Sequence, residues 1–110
     1  MTEVELHIQI RRNGRLFLNA TTAKLLQEVE RCGSLRIAAR GLHYSYQHAW
    51  NLIDGINRVA SQPVVLKQRG GSGGGGARLS PHGRILLDEF RNIERLVKSF
   101  AKKMNAEMNL

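Results

Sequence analysis

The chain has 110 residues, 42% of them apolar, and carries 17 Lys plus Arg against 9 Asp plus Glu, a formal net charge of +8. That is enough chain for one modest core and too little for two, because each of two would fall near the limit of about 40–60 residues at which a domain holds itself together unaided. A single cysteine, Cys32, excludes an intramolecular disulfide, and the strong positive charge points to polyanionic partners: nucleic acid, an anionic membrane surface or an acidic protein.

The opening residues MTEVELHIQI carry Glu3 and Glu5, unlike the basic start of a secretory signal or an Arg-rich transit peptide. The longest aliphatic runs, such as Val64-Val65-Leu66, are three residues, against the ~20 that span a bilayer. With its lone thiol, this gives the expectation of one cytoplasmic domain over 1–110 with no membrane attachment.

Residues 1–19 read as a hairpin. Val4, Leu6, Ile8 and Ile10 alternate with polar residues, and Asn13-Gly14 before Leu16-Phe17-Leu18 suits a type I′ turn. From Thr21 the period becomes helical: Ala23, Leu25, Leu26, Val29 and Cys32 share one side of a first helix that Thr21 or Thr22 caps and Gly33 ends. Ser34 caps a short second helix, Leu35 to Arg40, which Gly41 stops. Ser45 caps a third, running to Val59, with Ala49, Ile53 and Ile56 inward. Two helices joined by a short turn containing glycine form a helix-turn-helix pattern within 21–59, and they leave the first turn of the third helix free to read a partner.

Residues 64–79 read as a glycine-rich wing, with a strand from Val64 to Arg69, a loop from Gly70 to Gly76 and a returning strand Ala77-Arg78-Leu79. Ser80-Pro81 then starts a long helix over 81–110. Its apolar positions Leu86, Phe90, Ile93, Val97, Phe100 and Met104 are spaced 4, 3, 4, 3, 4, a heptad seam on a helix of about 42 Å. This seam is the expected dimerisation surface. The fold class expected is mainly α with a small β wing: a winged helix-turn-helix with an N-terminal hairpin and a long C-terminal dimerisation helix.

Catalysis finds no support, and no enzyme is expected. His7, His43, His48, His82 and Cys32 are scattered over different elements, so no metal site is expected. Gly71, Gly73 and Gly76 spell GxGxxG, but Ala77 to Pro81 separate the last glycine from the next helix, and a dinucleotide site needs the helix to begin there. No cofactor is expected.

Charge by segment is more informative than the total. Between Arg36 and Arg84, seven cations (Arg36, Arg40, Arg58, Lys67, Arg69, Arg78 and Arg84) stand against Asp54 alone, leaving six of the eight net charges in under half the chain. The long helix instead alternates signs, with Glu94 and Lys98 at i,i+4. On the third helix Tyr46, Gln47, Trp50, Asn51 and Asp54 cluster opposite the inward face. Gln and Asn can each bond the N6 and N7 atoms of an adenine edge. The expected DNA contacts are Arg36, Ser45, Tyr46, Gln47, His48, Trp50, Asn51, Lys67, Arg69 and Arg78, with Trp50 divided between packing and contact.

The runs GSLRIAARGLHYSYQHAWNLIDGIN and GGSGGGGARLSPHG resemble the N-terminal DNA-binding domain of ModE-type, molybdate-responsive transcriptional regulators, and more distantly LysR-type domains. The resemblance covers nearly the whole chain. It implies a homodimer built on the first and last helices, the third helix in the major groove of double-stranded DNA and the wing on the flanking backbone. Where members commonly carry Glu-Arg at the end of the wing's first strand, this chain has Leu66-Lys67. The family's molybdate-binding domains would follow the last helix, beyond Leu110, so the expectation is a DNA-binding transcriptional regulator with no small-molecule effector within this chain. The alternative is a protein-interaction module whose long helix binds an acidic partner or a companion sensor subunit.

Overall fold

A computed structural model describes residues 2–68 and 76–108. The order is β1 (Gln9–Arg12), β2 (Arg15–Asn19), α1 (Ala20–Cys32), α2 (Leu35–Gly41), α3 (Tyr46–Val59), β3 (Val65–Gln68), β4 (Gly76–Leu79) and α4 (Pro81–Glu107). This is the winged helix-turn-helix expected from the sequence.

Asn13 (φ 52°) and Gly14 (φ 78°) are both left-handed, as a type I′ turn requires, and Arg12 sits opposite Arg15 across it. The ladder is shorter than the alternation suggests. Val4 to Ile8 lie outside any strand pairing, because Gln9 already pairs with Asn19, the last residue of β2. The missing partner is supplied by the far end of the chain. The Asn105 side-chain amide accepts from Val4 N and donates to Val4 O, pinning the N-terminal arm along α4.

Several local boundaries differ from expectation. Helix α1 is capped by Asn19, whose Oδ1 accepts from Thr22 N at 3.0 Å; Thr22 is inside the helix and buried. Gly41 is the last residue of α2 and does not stop it. The chain reverses two residues later at His43 (φ 61°), with Tyr44 N bonded to Ala39 O. The returning wing strand begins at Gly76. Gly33, Ser34 and Ser45 take their expected capping roles.

The core joins Leu25, Leu26 and Val29 of α1, Leu35, Ala38 and Ala39 of α2, Ala49, Ile53 and Ile56 of α3, and Val64, Ala77, Leu79, Leu87 and Phe90 from the wing and α4. The small alanines let α2 and α3 approach closely. Two polar side chains lock the wing to the helices. Asn57 Oδ1 accepts from Val64 N (2.8 Å) and Val65 N (3.2 Å), while its Nδ2 donates to Val65 O. Ser80 Oγ donates to Pro63 O and accepts from Gly83 N. At Gly83 the first turn of α4 lies so close to the wing that a Cβ there would collide with the Val64 carbonyl oxygen. β4 also bridges to Ser34 and donates from Ala77 N to Gly33 O, tying the wing to the α1–α2 turn.

The seam expected on α4 is not one surface. Phe90 is fully buried in the chain's own core, so it is corrected from partner contact to core, as the first turns of α4 are needed to close the domain; Leu86 is half-buried and packs against that core. Val97 and Met104 are half-buried, with Val97 lining the cleft beneath the N-terminal arm. Ile93 and Phe100 face outward and join Ile85 and Leu96, which the heptad spacing leaves out, in an exposed apolar stripe. Among the described residues no helix is long and apolar enough to cross a membrane.

Candidate nucleic-acid interface

Ser45 is extended, and its Oγ accepts from His48 N at 3.0 Å, so its hydroxyl starts α3. With Ala49, Ile53 and Ile56 buried, the helical period turns Gln47, Asn51, Asp54 and Arg58 outward on one line at i, i+4, i+7 and i+11. Gln47 Nε2 donates to Asn51 Oδ1 at 3.1 Å. The bond restricts both amides and leaves the Gln47 oxygen as acceptor and the Asn51 nitrogen as donor, the two functions an adenine edge requires.

Tyr46 and Trp50 lie beside this line, half-buried against the core and edge-to-face with each other, ring centroids 6.1 Å apart. Each carries a cation from a neighbouring element. The Arg36 guanidinium of α2 stands 4.3 Å from the Tyr46 centroid, and the Lys67 ammonium of β3 3.9 Å from that of Trp50. Cation–π contacts of this kind hold flexible side chains in place while leaving their charge unneutralised. The result is a row, Arg36–Tyr46–Trp50–Lys67, that runs from α2 past α3 to the wing. His48, which is exposed, packs edge-on to Tyr44, whose hydroxyl donates to Thr21 O.

The wing cations divide between two faces. In the β3–β4 register Lys67 is opposite the buried Ala77, on the face toward the core, whereas Arg78 is opposite Leu66 on the other. Arg69 and the glycine loop 70–75 lie outside the described residues. Gly76 opens a strand, and α4 starts five residues later. The ion pairs among the described residues join Arg31 to Glu28, Arg84 to Glu30, Arg91 to Glu94 and His7 to Glu5. Arg36, Arg40, Lys67 and Arg78 are in none of them.

The structure thus gathers Arg36, Ser45, Tyr46, Gln47, His48, Trp50, Asn51 and Lys67 around the first half of α3 and sets Arg78 apart on the outer wing face. Sequence reasoning missed the Gln47–Asn51 bond, although their i,i+4 spacing carries it. The two cation–π stacks join separate elements and leave no such signal.

No family model matches the chain. It is 30% identical over 95 residues to the transcriptional regulator ModE of Haemophilus influenzae, covering 86% of this chain and 37% of that protein. It is 35% identical over 92 residues to the molybdenum transport protein ModE of Azotobacter vinelandii, 84% of this chain and 34% of that one. The DNA-binding transcriptional dual regulator ModE of Escherichia coli K12 is 29% identical over 85 residues, 77% of this chain and 32% of that protein. The chain spans about a third of the length of these curated relatives. In sequence and fold the chain is similar to these ModE proteins and is consistent with a winged helix-turn-helix domain of the ModE type.

Proposed function

We propose that the chain is the DNA-reading module of a transcriptional regulator and that it recognises double-stranded DNA sequence-specifically as a homodimer. The observation that carries this is the first half of α3, where the hydrogen-bonded Gln47–Asn51 pair stands exposed between cations that Tyr46 and Trp50 hold in place. In this reading α3 enters the major groove, Gln47 and Asn51 meet base edges, and Arg36, Arg40, Lys67, Arg69 and Arg78 neutralise phosphates. Homodimerisation is supported by the exposed stripe Ile85, Ile93, Leu96 and Phe100 on α4, larger than scattered single apolar residues. The proposal includes no catalytic step and assigns no effector to these residues.

Selection of bound sites from a random duplex pool tests it. Enrichment of an inverted repeat supports both base reading and two-fold assembly; an unenriched pool sinks the first, and a lone half-site the second. If the dimer neutralises about 6–8 phosphates, log K falls with log salt at a slope of about −5 to −7. A slope near zero, with a second protein retained in its place, favours a protein-interaction module.

A further inference from the structure

We propose that Arg12, Arg15 and Arg58 form a second phosphate-binding site, at the tip of the N-terminal hairpin, that grips the duplex backbone at the far end of the recognition helix. The inference rests on the DNA-binding reading above and extends it to an element that reading does not use.

The three arginines line one cleft of about 290 Å³, together with Asn13 and Val59. Two of them face each other directly: the two-residue turn places Arg12 opposite Arg15. Like charges directly opposed on a ladder destabilise it, and Arg58 adds a third positive charge from the last turn of α3. The ion pairs among the described residues bring no carboxylate to any of the three. Arg11 contrasts with them, since its guanidinium donates to Gly14 O and so braces the turn. A cleft that gathers three forked cations without a counter-charge is complementary to a tetrahedral phosphodiester oxygen pair, which arginine binds through two parallel hydrogen bonds.

Position identifies the source of that phosphate. Arg58 lies on the same outward line of α3 as Gln47, eleven residues on, or about 16 Å along the axis. The major groove is about 12 Å wide. With Gln47 on a base edge, the cleft falls beyond the groove at the opposite strand's phosphate wall, while Arg36 and Lys67 stand at the near end. Asp54, between them on the line, stays within the groove, where a carboxylate can accept from a cytosine N4 amine.

The test compares the full chain with the triple variant Arg12→Gln, Arg15→Gln, Arg58→Gln on a selected duplex and on random duplex over a range of salt. Affinity is expected to fall on both by a similar factor, about 10- to 100-fold at 0.1 M salt, and the slope to become shallower by about one for each phosphate no longer neutralised. The corresponding triple lysine variant, which keeps the charge, is expected to restore most of the slope. Because the three side chains repel one another without an anion, the glutamine variant is expected to melt no lower than the wild type, so weaker binding does not reflect unfolding. An unchanged slope in the variant, with a steep slope in the wild type, overturns this site and leaves the DNA-binding reading standing. A wild type that binds no duplex overturns that reading and the site with it. Stabilisation of the wild type but not the variant by millimolar inorganic phosphate, with duplex binding equal in both, assigns the cleft to a free phosphate and overturns the duplex assignment.

Discussion

The ammonium of Lys67 rests 3.9 Å from the centre of the Trp50 ring, and Trp50 is the chain's one tryptophan. A cation–π pair of this kind contributes about 0.5–2 kcal/mol, small enough for a phosphate to draw the cation away. Adding duplex DNA is therefore expected to change the intrinsic fluorescence, and Lys67→Ala to remove most of that change. Emission that stays constant through saturation would mean that the wing strand does not engage the backbone.

Gln47 and Asn51 are bonded to each other, so their contributions to base reading are expected to be coupled. Each alanine substitution should cost about 1–3 kcal/mol on the selected duplex. The double variant should cost less than the sum, with an interaction of about 0.5–1.5 kcal/mol in a double-mutant cycle. Strict additivity would show two independent readers.

Asn57 makes three bonds to the backbone of Val64 and Val65. Truncation to alanine leaves amide groups at a buried position without partners, and the expected loss is about 2–3 kcal/mol in urea denaturation. Asn57→Asp, which keeps the acceptor, should lose less. Equal losses for the two would assign the effect to the side-chain donor.

Gly83→Ala places a Cβ against the Val64 carbonyl. Alanine is the better helix former by about 1 kcal/mol, but opening a packed junction costs about 1–3 kcal/mol or more, so the melting temperature should fall. A variant as stable as the wild type would mean that the first turn of α4 moves freely over the wing.

Leu96→Glu combined with Phe100→Glu is expected to shift the chain toward monomer in sedimentation. Fold stability should stay within about 0.5 kcal/mol, since both side chains are more than half exposed. An unaltered sedimentation profile would place the two-fold contact elsewhere.

What was legible in the sequence was whatever follows from local chemistry. Asn13-Gly14, Ser34, Ser45 and Ser80-Pro81 announce a turn and three helix starts because each satisfies nearby backbone groups with its own side chain or dihedral preference. The outward line of α3 follows from its 3.6-residue period. Asn19 was missed because Thr21 and Thr22 offer the same capping chemistry two and three residues later, and only the length of β2 decides among them. The division of the α4 seam was missed for a different reason. A heptad pattern records which positions are apolar, not which neighbour covers them, and Phe90 and Phe100 carry the same signal although one is in the core and the other faces outward. Gly83 gave no signal either, since the carbonyl that forbids a side chain there belongs to Val64, on another element.

The clasp between Val4 and Asn105 closes almost the whole chain into one loop, yet it consists of two exposed hydrogen bonds. With the domain between Val4 and Asn105 already folded, the clasp orders only the short arm ahead of Gln9, and two such bonds barely offset the backbone entropy that this costs. The arm therefore has an opening equilibrium of its own, separate from global unfolding, and amide exchange at Val4 should be far faster than at Leu26 or Val29. When the arm lifts, the flank of α4 around Val97 and Ala101 is uncovered, so the apolar area this helix offers is governed by a local latch whose strength a single change at Asn105 can reset.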